Sequence, residues 1–110
     1  MKPGTVQLGA ASCRLAYSQL VPGNLRGKLR EIASLVVDQA SRGRGAATAL
    51  LDSIIEQADQ TGVALLVVVE PFDDEPLDAA KLRDWYAKFH FVEIQAMPCV
   101  MVRTPRRFDD

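Results

Sequence analysis

The stretch Arg42-Gly43-Arg44-Gly45-Ala46-Ala47 constrains this chain more than any other feature, because of what lies on either side of it. Before it runs LREIASLVV (29–37), which becomes steadily more apolar and reads as a strand. After it, apolar residues fall at Ala47, Leu50, Leu51, Ile54, Ile55 and Ala58, offsets 0, 3, 4, 7, 8 and 11, an unbroken helical stripe. Gly62 then supplies a left-handed stop. The run VALLVVV (63–69) has the β-branched richness of a central parallel strand buried on both faces. Strand, glycine-rich turn, helix and strand together make a βαβ unit, with a right-handed crossover expected. The expected fold is therefore α/β, a mixed twisted sheet built round a central βαβ unit. With 110 residues in the chain, it forms one domain over 1–110.

The turn itself carries chemistry. A helix N-terminus offers unpaired backbone N–H groups at a positive dipole end, which suits a phosphate. Gly43 and Gly45 place no Cβ in the way of a pyrophosphate, and Arg42 and Arg44 add charge-assisted donors. A diphosphate ligand is the physical expectation. The P-loop ending Gly-Lys-Ser/Thr is absent, and the dinucleotide fingerprint wants Gly or Ala where this chain has Thr48.

The flanking segments read more simply. Within 12–20, Cys13, Leu15 and Tyr17 alternate with polar residues as a half-buried strand would. Pro22-Gly23-Asn24 marks a turn, so this strand and 29–37 should form a hairpin. Residues 70–78 form a loop with five carboxylates, and Asp78 is placed to cap a second helix carrying Leu82, Trp85, Tyr86 and Phe89. Residues 91–95 and 99–103 read as a terminal hairpin, and the polar tail from Thr104 should fray.

Thirteen Lys and Arg against fourteen Asp and Glu leave a net charge of −1, which argues against a nucleic-acid partner. The longest apolar run, Val63 to Val69, is too short for a membrane span, and no basic-then-apolar leader opens the chain. A cytoplasmic location is expected. Cys13 and Cys99 are too few for a disulfide framework and should pack as small hydrophobes; no metal ligand set is read.

Arg42-x-x-Gly45-x-Ala47 resembles the Arg/Gln-x-x-Gly-x-Gly/Ala signature of the GNAT N-acetyltransferases. Trp85-Tyr86-Ala87-Lys88-Phe89-His90-Phe91 resembles their second motif, commonly Leu-Tyr-Glu-Lys-x-Gly-Phe, with the same Tyr-to-Phe spacing. The resemblance covers residues 29 to 103 and implies acetyl-CoA as co-substrate. It places the pyrophosphate on Arg42, Gly43, Arg44, Gly45, Ala46 and Ala47, and the pantetheine arm along the strand at Leu35, Val36 and Val37. An amine acceptor, a protein lysine or a small amine, would attack the thioester directly. The backbone N–H groups around Val36 and Val37 would polarise its carbonyl, and Tyr86 would protonate the departing thiolate. Glu31, eleven residues before Arg42, takes the place of the glutamate base of histone-type members.

Other readings stay open beside these. Tyr86 also lies on the core stripe with Trp85 and Phe89. Glu31 also reads as a strand-edge carboxylate near Arg30 and Lys28; simple alternation puts it on the face of Leu35 and Val37, and a bulge would change that. The chain departs from the family at His90, where a glycine is usual. The segment before Leu29 leaves no room for the two helices that normally wall the acceptor site. That side should be open, completed by a second subunit or by a large docking substrate. Similarly compact members include phage-encoded anti-CRISPR acetyltransferases, and Phe72-Asp73-Asp74-Glu75 resembles theirs faintly. The alternative functions are a CoA-binding module that transfers nothing and a protein-interaction module, such as a small phage or mobile-element inhibitor.

Overall fold

A computed structural model describes residues 3–9, 11–17, 28–37, 45–69, 79–96 and 98–106. Six strands and two helices follow in the order β1 (Gly4–Leu8), β2 (Ala11–Ala16), β3 (Leu29–Val37), α1 (Ala46–Thr61), β4 (Ala64–Val68), α2 (Ala79–Ala87), β5 (Val92–Ala96) and β6 (Cys99–Arg103). The strands form one mixed sheet in the order β1-β2-β3-β4-β6-β5. β3 and β4 are parallel and the other neighbours antiparallel. The anticipated βαβ unit is thus its centre, and both expected hairpins form.

β1 is an addition that sequence reading did not supply: Val6 and Leu8 alternate with Thr5 and Gln7, but the run is only five residues long and only Val6 is even half-buried. It pairs with β2 from Leu8↔Ala11 outward as a tight hairpin. β2 runs from Ala11 to Ala16, starting one residue before the 12–20 alternation, whose last three residues lie outside the described ones. The Pro22-Gly23-Asn24 turn and the 70–78 loop with its Asp78 cap lie outside the described residues.

Residues directly opposite one another on neighbouring strands share a sheet face. One face carries Ala11, Cys13, Leu15, Ile32, Leu65, Val67 and Met101, all buried in one core with Leu50, Leu51, Ile54 and Ala58 of α1 and Tyr86 of α2. β4 and β5 run parallel with β6 between them, so two crossovers of the same hand lay both helices on this one face. α1 ends as anticipated: Gly62 is left-handed at φ 70, and the Val63 N–H bonds the Ala58 carbonyl at 2.9 Å. No described helix is long and apolar enough to cross a membrane.

The register of β2 against β3 carries one irregularity. Arg14 faces Ser34 but Leu15 faces Ile32, which leaves Ala33 as the extra residue of a β-bulge. Parity therefore reverses there: Ile32 and Leu35 both face the core, while Glu31 and Ser34 both face away from it. The simple alternation that grouped Glu31 with Leu35 is corrected by this bulge.

A buried arginine joins the elements at one end of the sheet. Arg103 of β6, 3 % exposed, donates Nη1 and Nη2 to the Asp59 carboxylate of α1 at 2.7 and 3.1 Å. Its Nε bonds the Phe89 carbonyl just past α2 at 2.9 Å. The Arg106 backbone N–H also donates to Asp59, at 2.9 Å, so the chain beyond Thr104 is held at least that far rather than frayed. At the same sheet, the Arg30 guanidinium lies 4.5 Å from the centre of the Tyr17 ring.

Removing one partner of a buried ion pair strands the other charge. Asp59→Ala should lower unfolding stability by about 3 kcal/mol in urea titrations, towards the lower end for such pairs because the carboxylate is partly exposed. The hydrogen bonds from Arg103 hold the Asp59 carboxyl below its usual range, against a smaller opposing effect of burial. A depressed folded value means the stabilisation is complete above the unfolded carboxylate value of about 3.9 and is lost as pH falls through the folded one. The stability gap between wild type and Asp59→Ala should accordingly narrow below about pH 4.

Candidate active site

β3 pairs with β2 from Glu31 to Val37, but β4 follows it only through Leu29↔Ala64, Arg30↔Leu65 and Glu31↔Leu66. Beyond that point the two parallel strands part. The cleft between them has a volume of about 90 Å³ and is lined by residues 32–35 of β3, residues 67–69, and Leu82 and Tyr86 of α2. Its lining draws on both sheet faces, Ile32 and Leu35 from the core side and Ser34 from the other. Along the opened edge of β3 the outward backbone N–H and C=O groups meet no strand among the described residues, so they are free for an extended ligand.

Tyr86 is buried, 6 % exposed, and is held edge-on by Trp85 (centroids 4.9 Å apart) and Phe91 (5.3 Å). Burial, with a smaller contribution from Cys13, raises the Tyr86 phenol well above its ordinary value of 10. The phenol is therefore protonated throughout the neutral range and is a donor. Burial likewise pushes the Cys13 thiol up to about 11, consistent with a packing role.

The turn after α2 explains an anomaly in the sequence. His90 has φ 72, the left-handed conformation in which a glycine is ordinary and a histidine strained. Its N–H bonds the Ala87 carbonyl at 3.1 Å, and the Phe91 N–H that of Tyr86 at 3.4 Å. The geometry that glycine would serve is kept, with a histidine in it.

At the other end of the cleft's walls, α1 begins at Gly45, left-handed at φ 79, whose carbonyl accepts the Ala49 N–H at 3.0 Å. The first turn has neither a side-chain cap nor an acidic residue, so its N–H groups and positive dipole end stay available to an anion. Ala46 and Ala47 lie half-buried in that turn. Arg42, Gly43 and Arg44 lie outside the described residues.

Of the other anticipated positions, Leu35 lines the cleft with Tyr86. Val36 and Val37 continue the strand opposite Ser12 and Ala11. Glu31 is half-buried at the last paired position before the strands part, one residue short of the cleft lining. Of the nine lining residues, sequence reading placed only Leu35 and Tyr86 at the site; Ile32, Ala33, Val67, Val68, Val69 and Leu82 read as strand or helix positions, and Ser34 reaches the cleft by a bulge that no local pattern announces. Among the described residues no group of three or more His, Cys, Asp or Glu gathers as a metal site would require.

Comparison with known proteins gives a consistent answer. The family model described as the acetyltransferase (GNAT) family matches residues 4–91. The fold is similar to the crystal structure of the anti-CRISPR protein AcrVA5, with TM-score 0.72 at 14 % identity, over 94 % of this chain and 100 % of that one. It is also similar to the ribosomal-protein-S18-alanine N-acetyltransferase of Escherichia coli, with TM-score 0.63 at 17 % identity, over 94 % of this chain and 71 % of that one. A third likeness is to the E. coli GNAT family N-acetyltransferase YhbS in complex with CoA, with TM-score 0.54 at 17 % identity, over 86 % of this chain and 49 % of that one. A sequence comparison with curated proteins finds no match.

The strained turn yields a test. His90→Gly should raise stability by about 0.5–1 kcal/mol, since a left-handed residue costs an L side chain roughly 1–2 kcal/mol and glycine gives back part of this as chain entropy. The measurement is the shift in urea midpoint at unchanged slope.

Proposed function

Because the chain belongs to the GNAT acetyltransferase family, whose members move an acetyl group from acetyl-CoA to an acceptor, we propose that it is a cytoplasmic N-acetyltransferase acting on a primary amine by direct attack. The observation that carries this reading is the cleft between the parting strands β3 and β4, with a buried, protonated Tyr86 in its wall.

In this reading the N-terminus of α1, with Arg42, Gly43, Arg44, Gly45, Ala46 and Ala47, takes the pyrophosphate. The pantetheine arm runs along the open edge of β3 past Leu35, Val36 and Val37, adding itself to the sheet as a further strand would. The acceptor nitrogen attacks the thioester carbon, and charge that develops on the carbonyl oxygen is met by backbone N–H groups of that strand. The C–S bond then breaks with its electron pair on sulfur. Tyr86 delivers a proton to that sulfur and, as a phenolate, takes one back from the nitrogen, which becomes an amide. A lysine amine, with pKa about 10.4, enters largely charged, so Glu31 first takes the proton that frees its lone pair for the attack. The tight hairpin between β1 and β2 leaves the acceptor side to a large substrate, which favours a protein lysine over a small amine.

The second reading is a module that binds CoA or a protein partner and transfers nothing, such as a small inhibitor; the likeness to the anti-CRISPR protein AcrVA5 fits the inhibitor part alone, since anti-CRISPR members of this family are also acetyltransferases. Two measurements separate the two readings. Acetyl-CoA at a hundred times its Kd should add about 2.7 kcal/mol of stability, a melting shift on the order of ten degrees in a domain of this size. Arg42→Ala should remove most of it. Tyr86→Phe should keep the shift but lower the rate of acetyl transfer by about a hundredfold or more, the range for loss of a general acid. A full shift with no transfer to any amine would favour the second reading, and no shift at all would overturn the first.

A further inference from the structure

The bulge at Ala33 has a consequence for what approaches the cleft. It turns Glu31 and Ser34 onto the sheet face away from both helices, and the register puts Thr5, Gln7, Ser12 and Arg14 on that same face. Apart from Ala16 and Val36, which the register also puts there, this part of the sheet is polar where the opposite side is core: Thr5, Gln7 and Arg14 are exposed, and Ser12, Glu31 and Ser34 half-buried. Thr5, Arg14 and Ser34 form one row across three strands, and the row ends in the cleft, since Ser34 lines it.

Two opposite charges stand on this row's surroundings without joining. Arg14 lies directly across from Ser34, and Glu31 across from Ala16, one step along the same face. Such diagonal neighbours are about 7–8 Å apart at their backbones. Arg14 makes no ion pair with a described residue, Glu31 included. A cation beside the cleft mouth and an anion at the fork of β3 and β4 complement a ligand that carries an ammonium and a carboxylate a few ångströms apart.

An extended peptide meets this requirement in one register. Side chains two positions apart lie on the same side of an extended chain, about 6.8 Å from one another. We propose that the acceptor is a protein lysine in an extended segment with an acidic residue two positions away, the lysine entering the cleft past Ser34 while Arg14 holds the acidic side chain. This deepens the N-acetyltransferase reading above and rests on it. A flat row three strands wide suits a peptide better than a free amino acid, which would reach both charges but touch little else.

The test uses three end-blocked peptides that differ only two positions after a single lysine, where each has Glu, Ala or Arg. With the full chain and acetyl-CoA, kcat/KM should be roughly tenfold or more higher for Glu than for Ala, and lowest for Arg. Arg14→Glu should reverse that order, and Arg14→Gln should flatten it. Both variants should keep the acetyl-CoA melting shift, which shows them folded and able to bind the co-substrate. Equal rates on the three wild-type assays, or a preference for Glu that survives Arg14→Glu, would overturn the proposal while leaving acetyl transfer intact. Free lysine used better than all three peptides would overturn the peptide acceptor. Transfer to no amine, with or without the melting shift, would remove the N-acetyltransferase reading and this one with it.

Discussion

A charged guanidinium buried to 3 % exposure governs how the two helices meet the sheet. Arg103 cannot shed its proton, so its position is tolerable only where acceptors surround it. The Asp59 carboxylate and the Phe89 carbonyl supply them, one from α1 and one from the turn after α2. Each acceptor is useful only if its helix is seated correctly on the core face. The contact therefore acts less as a source of net stability than as a restraint on arrangement, and it reaches the site through α2. Phe89 is three residues from Tyr86 and packs with it in one aromatic cluster with Trp85.

The other constraint is an unequal competition for β3. One edge of this strand is engaged by β2 from Glu31 to Val37, the other only for three residues by β4. The bulge at Ala33 sits just where the parallel pairing ends, and a bulge bends a strand and increases its twist. A local irregularity of one residue thus coincides with the opening of the sheet, with the reversal of face at Glu31 and Ser34, and with the free backbone edge that an extended ligand needs.

Much of this was legible in the chain itself. The stripe from Ala47 to Ala58, the stop at Gly62 and the strand that follows are set by local periodicity and left-handed chemistry, and they appear as read. The second helix and terminal hairpin follow the same rules. What was not read was β1, an edge strand whose alternation of Val6 and Leu8 with Thr5 and Gln7 is too short to stand out from a turn-rich start. Nor could periodicity supply the hold on the tail, because the Asp59 and Arg106 that meet are forty-seven positions apart. The bulge belongs to the same class: strand alternation predicts a face only while register is unbroken, and Ala33 carries no mark of being the extra residue. His90 is the reverse case, a position whose left-handed geometry explains why a departure from the motif leaves the turn intact.

The chain has a single tryptophan, and it is Trp85. Its indole lies half-buried, edge-on to both Tyr86 and Phe89, one residue from the phenol in the cleft wall. Fluorescence excited selectively at the indole is therefore an optical signal from beside that wall. Whatever enters between β3 and β4 changes the polarity and packing beside the only strong emitter in the molecule, so the protein carries its own label at the place where its chemistry would occur.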